Sequence, residues 1–565
     1  MNLLNETGGY RRALDLLMIL AAAVVVTLPI FLFGIPSGND MPQHYQFAQT
    51  FYSSLQHGVL YPSWADATNF GFGDVGIRFY PPFSYYVMCL FRWVAGNWYT
   101  GSALTFCFWF LTGAYGIYYW SREWFDASSS LAGAIAYLVM PYHVNQIYNA
   151  FLYAEFAASA ILPFCFLFVT RICRGTAFRD VVGLAVSYSF LLLTNLPMAV
   201  IGSGSLLIYA LCSLRKTSLS RSIPALAFSA FLGLLASGFY LARMITELGR
   251  VRLGSGEFFT DAYDFHSNFL LSFLYVSADV YVERSLWFSD LMLTMTFAIF
   301  VPSAILYYRR KRADDGFPFI GTIVLLAFAL LIAMPISLPI WEAFGTLQKI
   351  QFPWRWLAVI SILASIFVAA GFRPLVAMFG TKARPFALAA GGLMLAGIVF
   401  TATQIIRPAL YLPLNVFAPK VDDLRTSESC ECLWPVWSKK VAFVNKENVS
   451  VQYGEVEVES WRATERMFKI SSGREQEARI GTFYYPHWRA SVNETVVDVK
   501  PANDGTILVP VGGDAASVRL WFEEPTYLWV AVYVSTVVWV FFAAYLLLIL
   551  GGKYSRWKTT ATTGD

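Results

Sequence analysis

The sequence predicts an α-helical polytopic membrane protein of about twelve spans, with a small all-β sandwich domain before the last span. Hydrophobic residues make up 57% of the 565-residue chain and charged residues only 14%, against roughly a quarter in soluble domains. Apolar stretches approaching the about 20 residues that a bilayer-spanning helix needs recur along the chain. A late segment instead alternates polar and apolar residues with a period of two, which is typical of half-buried strands.

The first apolar stretch, 14–33, follows Arg11 and Arg12 and lacks the small-residue cleavage site of a removed signal peptide. We therefore expect a retained signal anchor. The further predicted spans are 101–120, 156–171, 181–193, 225–241, 291–308, 319–336, 356–371, 386–403 and 528–550.

Basic residues predict the side of each loop, because Lys and Arg favour the cytoplasmic side. Arg11, Arg122, Arg171 and Arg373 lie in alternate loops, which indicates an even number of spans and two cytoplasmic termini. This arrangement requires the stretch 82–94 to lie at the outer surface without crossing. If that stretch crosses, every later side assignment reverses.

We expect three parts in the chain. These are a transmembrane helical domain at 1–404 with a long outer loop at 34–97, an extracytoplasmic β-sandwich domain at 405–525, and a final span with a cytoplasmic tail at 526–565. The strand candidates of the second part are 449–458, 467–470, 481–485, 506–511 and 516–522.

Neither the cysteines nor the charge indicates a special class. Cys430 and Cys432 are spaced too closely to imply a disulfide, and two cysteines do not make a metal site. The net charge of +4 does not indicate nucleic-acid binding, because the basic residues lie in short loops between spans.

An acid follows the first span. Asp40 and His44 are four residues apart, which places two proton-active groups on one helical face near the membrane surface. The structural alternative is that Asp40 caps a helix beginning at Met41 and Pro42, since Asp before an early helical Pro is a common helix start.

A second acid, Glu155, lies at the mouth of the predicted span 156–171, in a loop that also contains His143. An ionisable group at such a depth is costly unless it faces a cavity or a partner. A structural role is the alternative, because a helix N-terminus stabilises an acid.

Several arginines lie on the same predicted side. Arg355 precedes the span 356–371 and is either an interfacial anchor or a ligand for phosphate oxygens. Arg243, Arg250 and Arg252 lie in an outer loop, where the positive-inside rule does not expect them. Transfer of a sugar from a polyprenyl phosphate needs such groups: a carboxylate base, cations for the departing phosphate, and an apolar groove for the carrier.

Five short motifs resemble those of YfhO-like bacterial membrane proteins and of membrane proteins described as 6-pyruvoyl-tetrahydropterin synthase-related. They are Asp40-x-x-x-His44, Phe79-Tyr-Pro-Pro82, Tyr153-Ala-Glu155, Phe352-Pro-Trp-Arg355 and the segment 483–490. These families are similar to GT-C glycosyltransferases, which use polyprenyl-phosphate sugars on the outer face of the membrane. The resemblance implies a GT-C-like fold and a polyprenyl-phosphate-linked sugar as the donor.

The same resemblance implies that Asp40 is the catalytic base. We expect His44 and Glu155 to orient the acceptor or the base. We expect a glycan or lipid acceptor of the cell envelope and a place in the bacterial inner membrane. No metal-ligand set is expected, since no tight Asp-x-Asp pair follows the third span. Whether the reaction uses a divalent cation is left open. The residues expected to bind substrate are Arg78, His143, Arg243, Arg250, Arg252 and Arg355.

Two alternatives from other classes remain: a lipid-linked-substrate transporter or flippase, and a non-catalytic polysaccharide assembly factor. A transporter predicts discontinuous helices and charges near span centres. In this sequence the charged residues cluster at span ends, which favours an interfacial enzyme.

Overall fold

The computed structural model describes residues 2–214, 219–255, 261–272, 280–310, 316–471 and 474–562. Apolar runs without helix-breaking clusters form the helices of the bundle, and their apolar surfaces pack into one large core. The helices are α1 Asn2–Phe33, α2 Met41–Gln56, α3 Phe83–Ala95, α4 Trp98–Ser121, α5 Ala127–Leu138, α6 Pro141–Tyr148, α7 Tyr153–Arg174, α8 Phe178–Leu192, α9 Leu196–Ser213, α10 Leu219–Ala236, α11 Gly238–Glu247, α12 Arg252–Ser255, α13 Val280–Arg310, α14 Phe319–Ile332, α15 Leu338–Ala343, α16 Gly345–Gln348, α17 Leu357–Met378, α18 Arg384–Phe400, α19 Leu414–Leu424 and α20 Thr526–Thr562.

Within the described residues, 8 helices are long and apolar enough to cross a membrane, or up to 9 if a pair bent by 84° forms one span. The sequence predicts about twelve membrane-spanning helices. Two predicted spans explain part of the difference. The 24-residue α4 is rich in Tyr and Trp, which lowers its apolar character, and α8 has only 15 residues.

The helix α3 corresponds to the stretch 82–94. Whether this stretch crosses the membrane decides the predicted side of every later loop. The helix has 13 residues, from Phe83 to Ala95, so it extends about 20 Å. That length is short of the about 30 Å of hydrocarbon that a spanning helix must cross. A surface position for this helix, as the sequence predicts, is therefore the arrangement that its length favours.

The all-β domain lies before the last helix, α20. Its larger sheets have the strand orders β3-β6-β10-β9 and β4-β5-β11-β7-β8, and every recorded pair in them is antiparallel. Buried side chains of both sheets, such as Phe468 and Ile480, belong to one apolar core. The strands are β1 Ile35–Pro36, β2 Tyr411–Leu412, β3 Val449–Ser450, β4 Glu455–Arg462, β5 Glu465–Ser471, β6 Gln476–Phe483, β7 Trp488–Val492, β8 Thr495–Val497, β9 Lys500–Pro501, β10 Thr506–Val511 and β11 Ala516–Phe522.

The predicted fold class, a helical polytopic membrane protein with a small all-β domain before the last span, is confirmed. The division of the chain at residues 404 and 525 stays a prediction. The short ribbon of β1 and β2 pairs Ile35 with Leu412 and so joins the start of the outer loop to the segment after α18. Gly34 permits this contact, because its φ is +130° and a Cβ there would lie 2.2 Å from the carbonyl oxygen of Leu412.

The expectation for the two cysteines of the β-domain is wrong. Cys430 and Cys432 form a disulfide. A 3-10 turn at Glu431–Leu433 brings their Cα atoms to 5.3 Å, which is within the range that a disulfide spans. Close spacing in sequence therefore does not exclude the bond when the backbone turns between the two residues.

Candidate functional site

Asp40 lies at the start of α2, and its carboxylate does not cap that helix. The helix begins at Met41 with Pro42 in its first turn, as predicted, yet no side-chain cap hydrogen bond forms. The alternative of a structural cap is therefore wrong. No hydrogen bond or salt bridge of the Asp40 carboxylate occurs in the described part of the chain, and the side chain is partly exposed.

Gly38 brings the first outer loop against the loop that precedes Glu155. A Cβ at Gly38 would lie 2.6 Å from the carbonyl oxygen of Asn149 and 2.6 Å from the carbonyl carbon of Ala150. Only glycine permits this close backbone approach. Gly38 thus has a packing role: it holds the segment before Asp40 beside the second outer loop.

Glu155 is buried at the N-terminal end of α7, and both of its carboxylate oxygens are bound. One oxygen accepts hydrogen bonds from the Tyr142 hydroxyl and from Nε2 of Gln146, the latter at 3.2 Å. The other accepts a hydrogen bond from Nε of Arg355 at 2.8 Å. A carboxylate with this many donors is held in one position, and it in turn holds the Nε side of the Arg355 guanidinium.

Arg355 lies in the 3-10 turn that leads into α17. Its Nη1 donates to the carbonyl oxygen of Ile350 at 2.6 Å, and its guanidinium lies 4.7 Å from the ring centre of Phe352. No hydrogen bond from Nη2 occurs among the described residues. The guanidinium is therefore fixed on two sides and keeps a terminal nitrogen for another oxygen.

Asp40, Glu155 and Arg355 act on one another electrostatically. Burial raises the pKa of the Asp40 carboxyl to about 6; the charge of Arg355 opposes this rise, and the charge of Glu155 adds to it. The hydroxyl of Tyr80 lies in the same field: burial is the main cause of its raised pKa, the charges of Asp40 and Glu155 add to the rise, and the charge of Arg355 opposes it. The structure thus brings together the two predicted acids and one predicted arginine.

His44 is buried beside this group. Its Nδ1 lies 2.7 Å from the hydroxyl of Tyr85, and its ring packs edge-on against Tyr80 and Tyr153. Burial lowers the pKa of the imidazole to about 3, so the ring is neutral. A neutral, enclosed imidazole suits the predicted positioning role, which stays a prediction.

The structure encloses His143 completely. Its ring packs 4.3 Å from the ring centre of Tyr137, and Nδ1 lies 3.4 Å from the hydroxyl of Ser159. The predicted contact with substrate would need an exposed imidazole. In this conformation His143 supports the helix that carries Tyr142, and the expectation that it binds substrate stays a prediction.

Arg78 belongs to a second, separate cluster of charges. It is fully buried and donates to both oxygens of Glu247, at 2.9 and 3.0 Å. It also donates to both oxygens of Glu524, which precedes α20, at 2.5 and 2.9 Å. These carboxylates neutralise its charge, and the expectation that Arg78 binds substrate stays a prediction.

The β-domain contributes to the same cluster. His487 Nε2 lies 2.9 Å from Oε1 of Glu247, and the Tyr485 hydroxyl donates to Oε2 at 2.8 Å. Burial raises the pKa of Glu247, but the hydrogen bond from His487 and the charge of Arg78 outweigh it and lower the pKa to about 2. We call the set of Arg78, Glu247, His487, Tyr485 and Glu524 the clamp, because it ties the outer loop, α11 and the β-domain together.

The clamp also contains the one metal-like set found among the described residues. Ligand atoms of Glu247, His487 and Glu524 lie within 4.8 Å of one another. Both carboxylates of the set are already bonded to the guanidinium of Arg78, so an ion here would have to displace it. The donor set therefore does not fit a resident metal.

The other arginines that were predicted to bind substrate lie near the clamp and not near Arg355. Arg243 donates to Glu524 at 3.2 Å, and Arg250 Nη1 lies 3.3 Å from His487 Nε2. Arg252 donates to Glu431 at 2.9 Å. Carboxylates and the β-domain bind these arginines in this structure, and the expectation that one or more of them holds the phosphate with Arg355 stays a prediction.

Sequence reasoning missed Glu247, Glu524, Tyr142 and Gln146. Arg78 and Glu247 are separated by 169 positions, and no local pattern links them. A usable signal was the arginine excess in an outer loop, which implies buried carboxylate partners. Tyr142 and Gln146 stand four residues apart on one helical face, before the acid that they bind.

These features define the class of protein: a polytopic helical membrane protein with a cluster of two acids and an arginine at the N-terminal ends of α2, α7 and α17. Residues 77–405, more than half of the chain, match a family described as the 6-pyruvoyl-tetrahydropterin synthase related domain, a membrane protein. The chain belongs to this family. No curated protein matches it.

Three solved structures are similar to this chain at low sequence identity. ArnT from Cupriavidus metallidurans bound to undecaprenyl phosphate is 14% identical, with 73% of this chain and 75% of that chain covered and a TM-score of 0.43. The arabinofuranosyltransferase AftD from Mycobacteria is 12% identical over 69% of this chain, with a TM-score of 0.42, and the match spans only 27% of AftD. The oligosaccharyltransferase AglB from Archaeoglobus fulgidus, in complex with an inhibitory peptide and a dolichol-phosphate, is 13% identical over 71% of this chain and 56% of that chain, with a TM-score of 0.40.

Proposed function

We propose that this protein is a membrane glycosyltransferase that moves a sugar from a polyprenyl-phosphate carrier to a glycan or lipid acceptor of the cell envelope. The observation that carries the proposal is the convergence of a carboxylate without a partner, Asp40, with the ion pair of Glu155 and Arg355. A general base needs an available carboxylate whose pKa lies near the working pH, and about 6 meets that need. The clamp offers no such group.

The reaction is an inverting displacement at the anomeric carbon. The acceptor hydroxyl oxygen attacks that carbon while its proton passes to the Asp40 carboxylate. The bond between the anomeric carbon and the phosphate oxygen breaks, and its electron pair leaves with the polyprenyl phosphate. Arg355 donates to the phosphate oxygen on which negative charge develops, and Glu155 holds the guanidinium in place.

The location of the site suits a lipid carrier. Asp40 follows the C-terminal end of the first span, and Glu155 and Arg355 lie at the N-terminal ends of two others. A polyprenyl chain in the bilayer would reach such a site from the side, with its phosphate at the membrane surface. We place the site on the outer face of a bacterial inner membrane, with both termini in the cytoplasm, on the positive-inside rule.

A direct test uses the purified protein in liposomes with a panel of radiolabelled sugars linked to undecaprenyl phosphate. Wild-type protein should release sugar from at least one carrier, and Asp40→Asn should reduce that rate by about 10²–10⁴-fold. Asp66→Asn is the matched control, because it removes an exposed carboxylate from the same outer loop. Normal release by Asp40→Asn at wild-type folding would remove Asp40 as the base.

One observation favours the transporter alternative. The helices Phe319–Ile332 and Pro335–Ala343 meet at 84°, and broken helices are common at transporter binding sites. The same liposomes separate the two functions. Movement of labelled carrier between leaflets without loss of its sugar, unaffected by Asp40→Asn, would favour transport over transfer.

A further inference from the structure

Three spans carry a residue of the candidate site at one end and an arginine at the other. Glu155 and Arg171 are the two ends of the span Tyr153–Arg174, and Arg355 and Arg373 lie in the span Pro353–Met378. Their separation along a helix is about 25 Å, close to the thickness of the hydrocarbon core. The first span begins beside Arg11 and Arg12 and ends before Asp40. A second charged region therefore lies at the opposite membrane surface.

These arginines surround a cavity of about 550 Å³. A neighbouring cavity of about 680 Å³ shares Arg12 and Arg171 with the first and adds Arg174 and Arg179. The positive-inside rule explains why basic residues lie at this surface. That rule does not explain why the basic residues line a cavity.

The acids that line the first cavity are already engaged. Glu123 accepts from Arg171 at 2.8 Å and pairs with Arg174 at 3.3 Å. Asp126 pairs with Arg373 at 2.6 Å, and Asp15 accepts from a tyrosine hydroxyl at 2.8 Å. The hydroxyl leaves the charge of Asp15 in place, but five arginines and three carboxylates line this cavity, so its net charge is positive.

Three arginines of the same cavity have no carboxylate partner in the part of the chain that the structure describes. Arg11 donates to the Ser128 hydroxyl at 3.0 Å, Arg12 lies over the Tyr119 ring at 5.3 Å, and Arg122 donates to a backbone carbonyl. Guanidinium groups around one hollow repel one another, and an anion between them removes that repulsion. Planar guanidinium forks match the oxygens of a phosphate group.

We propose that this cavity is a binding site for a phosphate group, at the membrane surface opposite the candidate catalytic site. Two sources supply this chemistry there: the phosphodiester headgroup of an anionic lipid, and a free phosphate. We call the group of Asp40, Glu155 and Arg355 the Asp40 cluster. The phosphate site is separate from the proposed transfer reaction, because none of its lining residues belongs to this cluster.

The test uses the full chain in detergent, with lipid binding followed by native mass spectrometry and by the unfolding temperature. The probes are phosphatidylglycerol, phosphatidylcholine and inorganic phosphate. Phosphatidylglycerol should bind and stabilise the wild type more than phosphatidylcholine does. The double variant Arg11→Gln/Arg122→Gln should weaken phosphatidylglycerol binding by about thirtyfold, or about 1 kcal/mol for each arginine.

The matched control is Arg309→Gln/Arg384→Gln, which removes two exposed arginines that lie at span ends and line neither cavity. It should keep wild-type binding. Arg12→Lys retains the charge and should retain part of the binding, which guards against a double variant that does not fold. Stabilisation by inorganic phosphate as well as lipid identifies a free-phosphate site, and stabilisation by lipid alone identifies a headgroup site. Equal effects of the two lipids, or equal losses in variant and control, overturn the proposal.

Discussion

The Asp40 cluster and the clamp contain the same residue types, two acids and an arginine, in opposite states of pairing. In the clamp every oxygen of Glu247 and Glu524 accepts a hydrogen bond, and the pKa of Glu247 falls to about 2 despite burial, because His487 and Arg78 favour its charged form. In the other cluster the Asp40 carboxylate accepts no hydrogen bond from the residues that the structure describes, and burial raises its pKa to about 6. The pairing, and not the residue type, separates a structural carboxylate from one that is available for proton transfer.

The largest expected effect on stability comes from breaking the clamp. Arg78→Gln leaves two buried carboxylates without their cation, so we expect a loss of about 3–5 kcal/mol in the free energy of unfolding. Denaturant titration followed by limited proteolysis of the β-domain measures it. Arg489→Gln is the control: its salt bridge with Glu523 at 3.2 Å is solvent-exposed, and its loss should cost at most about 1 kcal/mol. Equal stability of the two variants would contradict the structural role of the clamp.

The second prediction concerns the arginine of the other cluster. Arg355→Gln should reduce sugar transfer by roughly hundredfold, or about 2.7 kcal/mol, because the departing phosphate loses its cation. Arg355→Lys keeps the charge but loses the planar fork that binds Glu155, and should recover part of the rate. A transfer rate unchanged in Arg355→Gln would mean that the phosphate is bound elsewhere.

Low pH should weaken the clamp but not the Asp40 cluster. Because the folded-state pKa of Glu247 lies below its ordinary value of 4.5, its contribution is complete above about pH 4.5 and is lost as the pH falls toward 2. We expect the free energy of unfolding to fall by about 1–2 kcal/mol between pH 5 and pH 3 from this group. The Arg78→Gln variant should show a shallower pH dependence, since it has already lost part of the interaction. Parallel pH curves for the two proteins would refute this assignment.

The smallest effect on stability is expected from the tyrosine of the clamp. Tyr485→Phe removes one hydrogen bond to Glu247 and keeps the ring, so the expected loss of stability is about 1 kcal/mol. Sugar transfer should not change. A large fall in transfer with normal stability would instead indicate that Tyr485 contacts substrate.

The sequence predicted the Asp40 cluster because each member stands next to a long apolar run. Glu155 and Arg355 both precede a span, and Asp40 follows one, so the membrane fixes their depth before any tertiary contact is known. The clamp was not predictable in the same way. The partners Arg78 and Glu524 are 446 positions apart, and only the packing of the β-domain on the outer loop brings them together.

Local rules also failed where the backbone turned or packed in a manner that sequence does not encode. The rule for helix starts assigned Asp40 a capping bond that does not form. The spacing rule for cysteines excluded the bond between Cys430 and Cys432, which a single tight turn allows. In both cases the deciding feature was the local course of the main chain.

The most direct measurement of the central claim is the pH dependence of single-turnover sugar transfer in liposomes. If Asp40 is the base, the rate should rise about tenfold per pH unit below 6 and level off above it, and the inflection should be absent from the residual rate of Asp40→Asn. A profile that is flat between pH 4.5 and 8, or one that Asp40→Asn leaves in place, would contradict the assignment of Asp40 as the proton acceptor.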